Sequence, residues 1–234
     1  METSLHRQLK SFYSGSESDQ EITLGSFRID VVRDRQLIEI QHGSLAAIRG
    51  KVRQLLRKHE VLVVKPLVVR KTLVTCAEKD GPEISRRLSP KRGNLFSLFD
   101  ELVYFVRVFP HRRLTLETPL VEIEEWRYPG HGRRRRWRRN DFQVADQRMV
   151  RLFETQRFRT AEDLLALIPA ELPQPFHTGQ LAESLSIPRW VAQRMTYCLR
   201  HMKALREAGK AGNARLYESV ARRSGRTKPV RDAS

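Results

Sequence analysis

The chain has 234 residues, 40% of them hydrophobic, enough for one large domain or two smaller ones with a buried core. No stretch approaches a membrane span of roughly 18 consecutive apolar residues. Met1–Arg7 holds no apolar signal core, and Cys76 and Cys198 stand far apart in no C-x-x-C or Cys/His cluster. Membrane-spanning, disulfide-framework and zinc-site classes are therefore set aside, and a reducing cytoplasm, with nucleoid association, is expected. A net charge of +17 points to a polyanion partner, nucleic acid ahead of a membrane surface and DNA ahead of RNA.

In chain order, residues 2–13 fit a short amphipathic helix with Leu5, Leu9 and Phe12 on one face and a Glu2, His6, Lys10 stripe beside it. A polar loop (14–21) leads to a strand hairpin at 22–41. Ser44 suits the N-cap of a helix over 45–59, whose apolar side is Leu45, Ile48, Val52, Leu55 and Leu56. Val61–Val69 reads as a buried strand interrupted at Pro66. A helix leads into it from the hairpin, so Val61–Lys65 is expected to run parallel to Leu37–Gln41. Thr72–Ala77 predicts another strand. Gly81–Gly93 reads as a basic loop whose Arg86, Arg87, Lys91 and Arg92 could clamp a phosphate backbone. Leu95–Val108 predicts a mostly buried helix, and Leu114–Ile123 a last strand that Pro119 places at a sheet edge.

Residues 126–143 break the pattern and read as a flexible linker. It carries Arg133, Arg134, Arg135, Arg136, Trp137, Arg138 and Arg139; removing these six arginines from +17 still leaves +11. Mobile arginines can bind a polyanion by releasing counterions, and Trp137 can stack on a base. Helical pattern resumes at 144–153. Thr160 suits a cap for 161–168 and Thr178 for 179–185. Ser186-Ile187-Pro188 makes a turn, Pro188 opens a longer helix to about residue 203, and a basic strand pair turning at Gly212-Asn213 follows. That order is the order of a winged helix-turn-helix. Its second helix offers Arg189, Gln193 and Arg194 to nucleic acid, with Lys210 and Arg215 in or beside the wing, while Val191, Met195 and Leu199 read as core. The bland alternative is a winged helix used for protein contacts or for pairing with a second copy of the chain. Residues 223–234 read as a disordered tail.

The most informative segment is Arg28–Gln41. Alternation places Arg28, Asp30 and Val32 on one face of the first strand, and Leu37, Glu39 and Gln41 on one face of the second. Either a tight turn at Asp34-Arg35 or a loop over 33–36 sets Asp30 opposite Glu39. Like charges directly opposed destabilise a ribbon unless a cation separates them, and two carboxylates plus waters suit Mg2+. The competing reading is an exposed sheet face on which Arg28 or Arg33 neutralises the acids.

With an acid at the end of one strand and Glu39-Ile40-Gln41 on the next, residues 1–125 resemble the PD-(D/E)XK nuclease superfamily. The Glu-x-Gln form resembles nuclease domains of the competence-protein type. The resemblance implies a restriction-endonuclease-like α/β fold, a mixed sheet flanked by helices, with a smaller, mostly helical winged-helix domain at 144–222. The whole also resembles a bacterial group that pairs two such domains. It further implies phosphodiester hydrolysis with Mg2+ or Mn2+ held by Asp30 and Glu39, and a first-helix acid, Glu2, assisting. The motif lysine is Gln41 here, which can hydrogen-bond water but carries no charge. Lys51 on the following helix and Lys65 at the end of the next strand are candidates to replace it. His6 and His42 read as structural. Two functions follow: a Mg2+-dependent, nuclease-like DNA-binding protein, or a non-catalytic DNA-binding regulator or architectural protein with a silent nuclease fold. An assembly module is a third.

Overall fold

Side chains alternate across a strand, and between Leu37 and Val64 this alternation sorts the apolar residues into two separate cores. Leu37, Val61 and Val63 join one cluster, and Ile38, Ile40, Leu62 and Val64 the other. The computed structural model describes residues 2–130 and 141–220. They form a mixed α/β structure in which a large mixed sheet lies between helices.

Helix α1 (Ser4–Tyr13) is capped by Thr3 and buries Leu5, Leu9 and Tyr13 against the second cluster. Strands β1 (Gln20–Leu24), β2 (Phe27–Arg33) and β3 (Gln36–Ile40) form an antiparallel meander. Asp34 and Arg35 both have positive φ, 49° and 63°, as a two-residue hairpin turn requires. The tight turn is thus the one adopted, and Val32 pairs with Leu37 as the sequence reading expects. Helix α2 (Leu45–Leu55), capped by the Ser44 hydroxyl, is shorter than expected but leads to β4 (Glu60–Val64), which is parallel to β3.

Strand β4 breaks at Lys65-Pro66 and resumes as β5 (Leu67–Cys76). Both run parallel along the same edge of β7 (Leu114–Pro129), β4 against 114–117 and β5 against 120–127. Pro119 sits where β7 changes partner, so its missing N–H costs no rung there. The prediction of an edge strand is corrected: β7 is interior, with β8 (Phe142–Phe158) antiparallel on its other side. The expected helix over 144–153 is part of β8. The division drawn at 125 and 144 therefore falls inside one β-hairpin, whose ends close through Gly130 N–H to the Asp141 carbonyl at 2.8 Å. The expected basic loop at 81–93 contains β6 (Glu83–Leu88), an exposed edge strand on β5. The helix expected over 95–108 is regular only at α3 (Leu98–Leu102), preceded by a 3-10 turn at Leu95–Ser97.

After β8 come α4 (Ala161–Leu165), capped by Thr160 as expected, α5 (Thr178–Ser184) and α6 (Arg189–His201). The cap of α5 is His177, whose Nδ1 accepts from Gly179 and Gln180 N–H, and not Thr178. Strands β9 (Leu205–Ala211) and β10 (Ala214–Ser219) form a separate hairpin turning at Gly212, φ 56°. Val191, Met195, Cys198 and Leu199 of α6 share the first core with Leu98, Phe99 and Leu102 of α3, so the C-terminal helices continue the core on one sheet face. Helix α1 covers the other face. Among the described residues no helix is long and apolar enough to cross a membrane.

Candidate functional site

Asp30 and Glu39 lie near the ends of two paired strands, and a different helix reaches each of them. From α1, His6 Nε2 lies 3.4 Å from Asp30 Oδ1 and 3.6 Å from Glu2 Oε1. From α2, Lys51 Nζ donates to Glu39 Oε2 at 2.6 Å, and to the Arg28 carbonyl. Asp30 Oδ2 accepts the Ile40 N–H at 2.8 Å, which ties the first acid to the strand of the second.

The two carboxyls are held in different states. Burial works against the Asp30 charge, but the bonds from His6 and Ile40 prevail and keep its carboxyl below the usual range. Glu39 is 3% exposed, and burial drives its carboxyl up to about 7 against the pull of Lys51, with the Asp30 charge pushing the same way. Glu39 Oε1 also stands 2.6 Å from the Lys51 ammonium, so both oxygens of this buried carboxyl face the same cation.

A cleft of about 610 Å³ on the Asp30 side is lined by Glu2, His6, Arg28, Asp30, Gln41 and His42, among others. Glu2 is held by Lys10, which stands 2.6 Å from both Glu2 and Glu21. The N-terminus of α1 is fixed from β8, where Asp146 accepts Ser4 N–H at 2.8 Å and Ser4 Oγ–H at 2.6 Å. Gln41 donates to the Ser44 carbonyl at 3.0 Å, so its amide braces the loop entering α2. Lys65, 4% exposed, donates to the carbonyls of His42 and Gly43 and faces Glu101 at 3.6 Å. It therefore holds the same loop and is not at Asp30 or Glu39. Lys51 is the candidate that meets the acids. His6, read as structural, is instead a contact of Asp30.

Among the described residues no group of three or more His, Cys, Asp and Glu could hold a metal by itself.

On the C-terminal helices, α6 exposes Arg189, Trp190, Gln193 and Arg194. Arg194 is not open to a ligand: it pairs with Asp100 of α3 at 2.5 Å and stacks 4.7 Å over Trp190. Lys210 and Arg215 are exposed on the β9–β10 hairpin. Arg86 is engaged by Glu83 and Glu124 and packs against Trp126. The Arg133–Arg139 run, Trp137 included, and the expected tail at 223–234 lie outside the described residues.

Residues 3–159, nearly the whole sheet unit through β8, match the family described as Domain of unknown function (DUF8091), and the chain belongs to that family. A relative described as "Uncharacterized protein" from Treponema pallidum (strain Nichols) is 29% identical over 184 residues, covering 78% of this chain and 72% of the relative. No solved structure matches the chain.

Proposed function

We propose that the protein is a nucleic-acid-binding, nuclease-like hydrolase whose chemistry centres on Asp30 and Glu39. The observation that carries this reading is the pair of strand-end carboxyls, with Lys51 brought to 2.6 Å from Glu39 by α2. The meander, crossover helix and parallel strand around them agree with a restriction-endonuclease-like fold. The order of α5, α6 and the β9–β10 hairpin agrees with a winged helix-turn-helix.

Mg2+ or Mn2+ bound by Asp30 and Glu39 would polarise the scissile phosphate and lower the pKa of an attacking water. The remaining work falls to the chain itself. Lys51 supplies the positive charge that Gln41 lacks, close to where negative charge develops on the phosphate. Ile40 N–H and His6 orient the Asp30 carboxylate. Arg28 lines the cleft in an ion pair with Glu21, and would meet the phosphate backbone by exchanging that carboxylate for a phosphate. The net charge of +17 favours a polyanionic substrate and draws it in over long range.

A second reading is a DNA-binding protein whose nuclease fold is silent. It is favoured by the commitment of the Gln41 amide to Ser44 and of Lys51 to the Arg28 carbonyl. Incubation of supercoiled, linear and single-stranded DNA with Mg2+, Mn2+ or EDTA separates the two. The hydrolase reading predicts metal-dependent cleavage that disappears in both Asp30→Ala and Glu39→Ala. Salt-sensitive binding without cleavage by any form would select the silent fold.

A further inference from the structure

Between α6 and the β9–β10 hairpin lies a second concavity, of about 330 Å³ and remote in sequence from the Asp30 cleft. Arg189, Arg200 and Arg215 line it, and no acidic residue does. Its polar lining is unusually unoccupied. The side chains of Arg189, Gln193, Tyr197, Asn213 and Tyr217 make no hydrogen bond or ion pair with any described residue. Several arginines outside the pocket are held by acids, as Arg86, Arg157 and Arg194 are. Here a single carboxylate, Glu207, is shared by Arg200 at 3.3 Å and Arg215 at 3.5 Å.

Each part of this lining suits one part of a nucleotide. Guanidinium groups match phosphate oxygens in bidentate geometry. The amides of Gln193 and Asn213 each carry donors and acceptors, which is what the edge of a base offers. Tyr197 and Tyr217 bring aromatic surface against which a base can lie. The volume falls in the range of about 300–1,000 Å³ typical of small-ligand sites, so one nucleotide fits and a duplex does not. Arg194, which a duplex on α6 would also meet, is paired with Asp100.

We propose that this pocket binds an unpaired nucleotide of a DNA strand, a single-stranded end or an extruded base, with its phosphate on the arginines and its base against Tyr197. The inference rests on the nucleic-acid reading above and adds the strandedness of the substrate.

The test is fluorescence anisotropy of the full chain, in EDTA so that no hydrolysis intervenes. The probes are a labelled 20-mer single strand, the blunt duplex of the same sequence and a duplex with a single-stranded tail. We expect the single strand and tailed duplex to bind at least tenfold more tightly than the blunt duplex. Tyr197→Ala should weaken single-strand binding by on the order of tenfold while changing duplex binding by less than twofold. Tyr197 is 40% exposed, so its truncation opens no core cavity. Asn213→Ala, at an exposed turn, should act in the same direction. A blunt duplex bound as tightly as the single strand, or a Tyr197→Ala loss that is equal for both, would overturn the pocket and leave the nucleic-acid reading in place. If no form of DNA binds, both fall. If unpaired DNA binds but no metal-dependent cleavage is found, the pocket stands and the hydrolase reading falls.

Discussion

The Lys51 ammonium lies 2.6 Å from both carboxylate oxygens of Glu39, so the helix after the hairpin delivers the cation that Gln41, two residues beyond Glu39, does not. Burial and the Asp30 charge penalise the Glu39 carboxylate, and Lys51 is the main group that opposes them.

Removing one partner should therefore cost more than removing both. Lys51→Met leaves a buried carboxylate without its cation and should destabilise the fold by about 3 kcal/mol. The double variant Lys51→Met/Glu39→Gln should recover most of that loss. Urea denaturation of the four proteins closes the cycle; equal losses in the single and double variants would refute the pairing energy.

Metal affinity should follow the two acids and not their neighbours. Glu39→Gln and Asp30→Asn should each weaken Mn2+ binding by more than tenfold, whereas Glu122→Gln, at the Arg70 pair on β7, should leave it unchanged. Isothermal titration calorimetry in the absence of nucleic acid reads this directly, and equal affinity in all forms would remove the metal from Asp30 and Glu39.

Acid stability should report His42. Burial, followed by the charges of Lys65 and Lys71, depresses its folded-state pKa below the ordinary 6.5. The folded protein thus binds the proton less readily than the unfolded chain. The associated stability is fully present above pH 6.5 and is lost as the pH falls below that value towards the folded pKa. His42→Asn should flatten this part of the profile in thermal melts from pH 7.5 to 5. A variant with the wild-type slope would assign the acid sensitivity elsewhere.

The C-terminal helices should melt with the sheet. Phe99 is fully buried in the core that α3 shares with α6, and the Cys198 thiol packs against its carbonyl. Phe99→Ala should cost about 3–5 kcal/mol. It should move one transition seen alike by far-UV circular dichroism and by tryptophan emission, which includes Trp190 on α6. Two separated transitions would show that the units are independent.

The Val32–Leu37 register was readable because the turn leaves few choices, but the alternation of β2 is not kept towards Asp30, since Ile29 joins one core and Val31 the other. The parallel β3–β4 pair followed from the Ser44 cap and the apolar side of α2. What escaped detection has local causes. Three register shifts along β7–β8 break the two-residue period, and the mixture of Val144, Met149, Val150 and Phe153 then imitates a helical spacing. Strand β6 is exposed along its whole length, so no buried face marks it. Pro119 signals an edge in an ordinary strand; here it is tolerated where β4 gives way to β5. The role of His6 depends on how α1 lies across the sheet, which no spacing within 2–13 encodes. Nor did the sequence indicate that Arg194 is taken by Asp100, since that pairing joins residues 94 positions apart.

The handover at Pro66 and Pro119 has a mechanical consequence. Strands β1–β4 form one plate and β5–β6 another, and both are stitched to β7 with unpaired backbone between them. Beside that seam the Thr118 hydroxyl is buried without a hydrogen-bond partner. Across that seam β7 stays paired with β8 alone, at Thr118–Gln156 and Pro119–Thr155, so β8 is the strand that splints the plate carrying Asp30 and Glu39 to the one carrying Arg86 and Arg87. Amide exchange should divide at the same line, with 114–117 protected together with β4 and 120–127 together with β5.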